Sequence, residues 1–141
     1  MTIRPWAEFT TDLPDDAIEN ESGFIQWPGK GVSEALAEML TRCGCEVRAL
    51  LCLDFKGWEL VFTAGRRKVR CRVTEIDKYL IGFYDPSWFA ELFNRNHPDF
   101  VQLLKCVATE LANDPRFHDV RWFAEDEVQT DAEGASFPVS E

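Results

Sequence analysis

Apolar and polar side chains alternate with a period of two residues in four successive runs between residues 45 and 84. The alternation is clearest where Val69, Cys71 and Val73 are separated by basic residues. Neighbouring side chains of a β-strand point to opposite faces of the sheet, so each run predicts a strand with one buried side. Short turns separate the runs, including 54–57 and 64–66. The pattern therefore predicts an antiparallel meander of four strands.

Other segments carry apolar residues at the spacing of an α-helix. A stripe from Val32 to Cys43 ends at Gly44, a residue that suits a helix C-terminus. Asp85 and Pro86 are typical of a helix start, and His97-Pro98 of a second start further along the chain. The apolar stripes of these three helices are Val32, Ala35, Leu36, Met39, Leu40 and Cys43; Trp88, Phe89, Leu92 and Phe93; and Phe100, Leu103, Leu104, Val107, Ala108 and Leu111.

A short strand at 24–27 precedes the first helix, which gives the predicted order β-α-β-β-β-β-α-α. The class is α+β, because one apolar face of a mainly antiparallel sheet must be covered by amphipathic helices. We expect a two-layer α/β sandwich with the helices on one face of the sheet. A chain of 141 residues has the size of one domain, and we place that domain at residues 20–124.

The net charge of −10 is concentrated at the two ends of the chain. Residues 1–22 hold six acids and one base, and 124–141 hold six acids and no base. We therefore expect an acidic, partly ordered N-terminal segment at 1–19, in which four apolar side chains dock on the domain: Trp6, Phe9, Leu13 and Ile18. For 125–141 we expect an acidic flexible tail.

The cysteine usage bears on the compartment. Five cysteines are an odd number, and the N-terminus lacks the apolar stretch of a signal peptide, so we expect reduced thiols and a cytoplasmic protein. Cys43 and Cys45 lack the spacing of a zinc or redox site, and no cofactor or metal is expected. No apolar run approaches the length of a membrane span, so no membrane partner is expected either.

Catalytic motifs are missing from the sequence. It contains no G-x-S-x-G, no glycine-rich phosphate loop and no H-E-x-x-H, and no catalytic residue is assigned. His97 and His118 are interpreted as capping or surface groups. A thiol enzyme that pairs Cys43 or Cys106 with a histidine is the third hypothesis, behind two binding functions.

A basic run at 66–72 supports the second hypothesis, binding of nucleic acid or another polyanion. Lys68, Arg70 and Arg72 share one side of the predicted strand, and Arg48 from a neighbouring strand joins them. The alternative is a solvated face on which these bases pair with Glu46 and Glu59 across strands.

The first hypothesis is non-catalytic binding of a protein partner by the outward face of the meander. That face is predicted to hold apolar side chains inside a charged rim, which is typical of partner surfaces. A dimer through the same face is a further possibility. In size and acidity the chain is similar to toxin-neutralising immunity proteins and secretion chaperones. The predicted contact residues are Leu50, Cys52, Val61, Leu80 and Tyr84.

Overall fold

The computed structural model of the protein describes residues 1–53, 57–85, 97–128 and 130–141. The helix predicted to start at Asp85-Pro86 lies almost wholly outside the described residues. The strands are β1 (Thr2–Ile3), β2 (Trp6–Thr11), β3 (Ile18–Asn20), β4 (Gly23–Gln26), β5 (Glu46–Leu53), β6 (Gly57–Ala64), β7 (Arg67–Glu75), β8 (Tyr79–Tyr84), β9 (Phe117–Phe123) and β10 (Val139–Ser140). The helices are α1 (Lys30–Arg42), α2 (Pro98–Asn113) and a 3₁₀ turn at Glu125–Glu127.

Six strands form one antiparallel sheet in the order β5-β6-β7-β8-β2-β9. The meander from β5 to β8 follows chain order, as its alternating sequence indicates. The α+β class with a mainly antiparallel sheet is confirmed. The N-terminal segment contributes more than expected, because β2 is an interior strand between β8 and β9. Phe9 and Leu13 pack in or against the core as expected, but Ile18 does not dock and is 49% exposed. Two further pairs of strands, β1 with β10 and β3 with β4, stand apart from this sheet.

A single hydrophobic core joins one face of the sheet to α1 and α2. The inward side chains of β7 and β8, such as Val73 and Ile81, are fully buried against it. Leu36 of α1 and Leu104 of α2 are buried in the same cluster. Each fully buried side chain of this size contributes about 1.5–3 kcal/mol, so the core fixes which face of every strand points outward.

A β-bulge changes the orientation of the second half of β5. Val47 lies opposite Phe62, but Ala49 lies opposite Val61, so the register shifts at Arg48. A shift of one residue moves all following side chains to the other face. Leu50 and Cys52, which we expected on the outward face, therefore share the inward side with their cross-strand partners. Leu50 packs against the core, and Cys52 is exposed at the sheet's edge.

The C-terminal segment contacts the domain at several points, in contrast to the expected flexible tail. Ala135 exchanges two backbone hydrogen bonds of 2.8 Å with Trp122 of the edge strand β9. The β10 strand then pairs with β1, and Arg4 donates to the Ser140 hydroxyl at 2.8 Å. Gly134 and Ala135 thus lie against the outer edge of the sheet, beside the C-terminal half of β9.

The predicted strand at 24–27 is observed as β4, which forms a hairpin with β3 rather than joining the main sheet. Asp16, just before this hairpin, accepts hydrogen bonds from the Gly29 and Gly31 amides at 3.0 and 2.6 Å. Its carboxylate thereby satisfies free amides at the start of α1. Gly29 has a φ of 110°, which a residue with a side chain rarely adopts.

Candidate functional site

The face of the sheet opposite the helices carries the basic strand. Val69, Cys71 and Val73 of β7 are buried in the core, so the side chains between them point to the opposite face. Neither α1 nor α2 covers this face, and we call it the helix-free face with reference to these two described helices. Lys68 is exposed, and the side chains of Arg70 and Arg72 remain 40% and 34% exposed. The strand register places Arg70 between Val61 and Tyr84.

A buried carboxylate lies beneath these bases. Glu59 of β6 is opposite Arg72, and its side chain is only 3% exposed. Arg70 Nη1 donates to Glu59 Oε1 at 3.1 Å, and Arg72 Nη2 lies 3.8 Å from Oε2. The Tyr84 hydroxyl donates to Glu59 Oε1 at 2.6 Å. Glu59, Arg70, Arg72 and Tyr84 form one network, which we call the Glu59 network.

Tyr84 connects the charged members of the Glu59 network. Arg72 Nη2 donates to the Tyr84 hydroxyl at 3.4 Å, and the guanidinium lies 5.7 Å from the centre of the Tyr84 ring. Burial raises the pKa of the Tyr84 hydroxyl, and the hydrogen bond to Glu59 raises it further. Arg72 Nε is buried and has no hydrogen-bond partner among the described residues. The donors of Arg72 are therefore only partly used by the fold.

Trp6 lies beside the network on the same face. Arg72 is opposite Gly82, and Gly82 is opposite Trp6. A Cβ atom at position 82 would overlap the Trp6 ring, so the indole covers the glycine closely. This contact requires a residue without a side chain at position 82. An aromatic ring, a tyrosine and two arginines thus lie next to each other on the helix-free face.

The structure brings together only some of the predicted site residues. Arg70, Arg72 and Tyr84 are in contact through Glu59, and Val61 is half-buried beside Arg70. Leu80 is on this face but is 9% exposed. Arg48 forms an exposed ion pair with Glu46 at 3.3 Å, apart from the network. Leu50 and Cys52 do not lie on this face, because the bulge in β5 turns them to the inward side of the sheet.

Glu59 and Trp6 were not predicted as site residues. From the sequence, Glu59 is expected only as a partner for the bases, and the signal for its larger role is its position as the one acid opposite the basic strand. Trp6 was expected only to dock on the domain. The sequence gives no indication that β2 pairs with β8, because the paired positions lie far apart along the chain: Phe9 and Tyr79 are 70 positions apart, and Ala7 and Ile81 are 74 apart.

The cysteines differ from the expected set of five reduced thiols. Cys43 at the end of α1 and Cys106 in α2 form a disulfide with their Cα atoms 5.9 Å apart, so that prediction is wrong. Neither is a free nucleophile in this state. Cys45 and Cys71 are buried, and burial raises the pKa of both thiols, which disfavours the reactive thiolate.

The histidines lie in separate places. His97 Nδ1 accepts from the Asp99 amide at 3.1 Å, so His97 caps α2. His118 Nε2 lies 2.8 Å from an Asp12 carboxylate oxygen. In the part of the chain that the structure describes, no three histidine, cysteine or acidic side chains are grouped to hold a metal ion.

An open cleft of about 350 Å³ lies where the ends of α1 and α2 meet. Arg42 pairs with Glu110 at 2.8 Å, and Arg116 pairs with Asp114 at 2.7 Å. Each arginine in the cleft wall is matched by an acid, so the cleft offers no unpaired charge to a ligand. It is a weaker candidate than the Glu59 network.

Comparisons with known proteins give no information about function, so the functional argument rests on the site itself. No protein-family model matches the chain, and neither a curated protein nor a solved structure gives a significant match. No helix among the described residues is long and apolar enough to span a membrane.

Proposed function

We propose that the protein is a non-catalytic binding domain whose partner is another protein, and that the partner docks over the Glu59 network on the helix-free face. The proposal takes the molecule as a two-layer α/β sandwich, in which the two described helices, α1 and α2, leave this face of the sheet uncovered. The observation that carries it is the pair of half-exposed arginines held by a buried carboxylate and a tyrosine.

The residue types support a protein partner. Arginine, tyrosine and tryptophan are the residues most often responsible for binding energy at protein interfaces. Here Arg70, Arg72, Tyr84 and Trp6 are neighbours, and Glu59 fixes the arginine side chains before any partner arrives. Side chains that are already ordered lose less entropy on binding.

The charge of the site indicates the chemistry of the contact. Glu59 carries one negative charge against two from Arg70 and Arg72, and exposed Lys68 adds a third positive charge. Guanidinium groups bind carboxylates through two parallel hydrogen bonds. The partner would therefore place an Asp or Glu side chain over the arginines.

Nucleic acid is the alternative occupant of this face. Its phosphates would bind weakly here, because Glu59 partly neutralises Arg70 and Arg72 and because Arg48 is paired with Glu46. The molecule as a whole carries −10, which repels a polyanion. These observations favour the protein partner. The cytoplasmic location expected from reduced thiols is not part of the proposal, because Cys43 and Cys106 form a disulfide.

Affinity capture with matched variants tests the proposal. Tagged wild-type protein, Arg70→Ser/Arg72→Ser and the control Arg42→Ser are incubated with an extract of the source cells, and captured proteins are quantified by mass spectrometry. We expect a partner that the control retains and that the double variant captures about tenfold less, the loss typical of interface arginines. Equal capture by all three proteins would contradict the proposal. Loss of capture after nuclease treatment would instead favour the polyanion.

A further inference from the structure

The β3–β4 hairpin, residues 18–26, exposes an unusual amount of apolar surface. Seven large apolar side chains are exposed in the described part of the chain, and three of them belong to this hairpin. Ile18 is 49% exposed, Phe24 41% and Ile25 63%. Single exposed apolar residues are common, but several on one short element indicate a surface that meets a partner.

The base of the hairpin is fixed by hydrogen bonds at its second strand and at the residue that follows it. Gln26 Nε2 donates to the Asp16 carbonyl at 2.6 Å, and the Trp27 carbonyl accepts from Trp58 Nε1 at 2.8 Å. The Phe24 ring lies 4.5 Å from that of Trp27. A two-stranded hairpin is marginally stable without further strands or packing. A partner strand that paired with this hairpin would supply a third strand and would also pack against its exposed apolar side chains.

The charged residues of the hairpin, and of the segment from residue 5 that precedes it, are all acidic. No lysine or arginine occurs between Arg4 and Lys30, whereas this stretch contains six acids. Glu19 and Glu21 belong to the hairpin itself, and Asp15 and Asp16 precede it. Glu75 lies close to this acidic segment. Burial is the main cause of its raised pKa, and the negative charge of Asp15 is the second. A complementary ligand is therefore cationic as well as apolar.

We propose that the β3–β4 hairpin is a second docking surface, which binds an extended protein segment of alternating cationic and apolar residues. The segment would pair with an outer edge of the hairpin. Its apolar side chains would then lie beside Ile25, and its lysines or arginines would lie on the opposite face, which carries Glu19. Two hairpins of separate copies would repel each other, because both are acidic. This inference is independent of the proposed function, since it concerns a different surface and the opposite charge.

The test measures binding of a defined probe, a fluorescently labelled heptapeptide of alternating lysine and leucine, by fluorescence anisotropy. The matched control peptide alternates glutamate and leucine. We expect Phe24→Ser/Ile25→Ser and Glu19→Gln/Glu21→Gln each to weaken binding of the lysine peptide about tenfold. The control variant Leu51→Ser removes an equally exposed leucine of β5 and should bind as wild type does. Arg70→Ser/Arg72→Ser should also bind the lysine peptide as wild-type protein does. This result would show that the peptide binds at the hairpin and not at the Glu59 network.

Three results would overturn the inference. The first is that the hairpin variants bind the lysine peptide as well as wild-type protein does. The second is that wild-type protein binds the lysine and glutamate peptides equally well. The third is that light scattering shows self-association of the wild-type protein, which the hairpin variants abolish. The last result would assign the hairpin to a second copy, docked on the basic helix-free face. Melting curves show whether each variant is folded. If Phe24→Ser lowers stability, Ile25→Ser alone repeats the test at the more exposed position.

Discussion

At the scale of single residues, Glu59 determines how the helix-free face is arranged. Its carboxylate is the shared acceptor for Tyr84 and Arg70, and it lies beneath the partly exposed arginines. Burial of a charged group is unfavourable unless charged partners and hydrogen bonds compensate for the lost water. The fold accepts Glu59 in this position because three side chains surround it.

Glu59→Gln tests this arrangement through stability. The substitution keeps the shape but removes the charge that Arg70 and Arg72 share, so we expect the free energy of unfolding to fall by about 2 kcal/mol. The melting temperature should drop by about 6 °C. Glu46→Gln is the matched control, because Glu46 also pairs with an arginine but is 67% exposed, and it should cost less than about 0.5 kcal/mol. Equal effects of the two variants would mean that the network contributes no more than a surface ion pair.

Tyr84→Phe has an effect that depends on pH. Loss of the hydrogen bond to Glu59 should cost about 1–2 kcal/mol at pH 7. The folded pKa of Tyr84 is raised above its usual 10.0, so at higher pH the unfolded chain releases this proton first and stability falls. The charged groups in contact with the hydroxyl, Glu59 and Arg72, are present in both proteins.

The measurement for Tyr84→Phe is chemical denaturation of both proteins between pH 7 and 11. The phenylalanine variant lacks the ionisation, so the stability difference should be constant up to about pH 9 and become smaller above pH 10. A difference that stays constant to pH 11 would contradict the raised pKa.

At the scale of elements, the strands and helices with regular patterns could be predicted from the sequence. The alternation of β7 indicated correctly that Val69 and Val73 are buried. The bulge at Arg48 was not visible, because it depends on the pairing of β5 with β6 and leaves the local alternation intact. Pairings between distant segments, such as β2 with β8 or Cys43 with Cys106, depend on the three-dimensional arrangement and not on a local period.

The C-terminal segment gives an element-scale prediction. Deletion of residues 134–141 removes the backbone pair between Ala135 and Trp122 and the β1–β10 sheet, and it uncovers the edge of β9. We expect a loss of about 2–3 kcal/mol, because several hydrogen bonds and the packing of Val139 disappear together. The measurement is thermal unfolding, with deletion of exposed Glu141 alone as the control. An unchanged melting temperature would restore the original expectation of a flexible tail.

At the scale of the whole molecule, acidic and basic surfaces are separated. The N-terminal stretch from residue 5 to 29 contains six acids and no base, whereas β7 contributes Lys68, Arg70 and Arg72 to the helix-free face. A separation of this kind gives each surface its own electrostatic preference even though the total is −10. The net charge alone does not identify the partner of either surface.

Chromatography on immobilised heparin distinguishes the two binding functions of the helix-free face. A polyanion-binding protein with several phosphate contacts is retained at low salt and released steeply as salt increases, because condensed counterions are displaced. We expect wild-type protein to pass through unretained at about 150 mM salt, since Glu59 offsets one arginine and the net charge is repulsive. Lys68→Ser/Arg70→Ser/Arg72→Ser should elute at the same position. Retention of wild type at that salt, lost in the triple variant, would replace the protein partner with a polyanion as the occupant of this face.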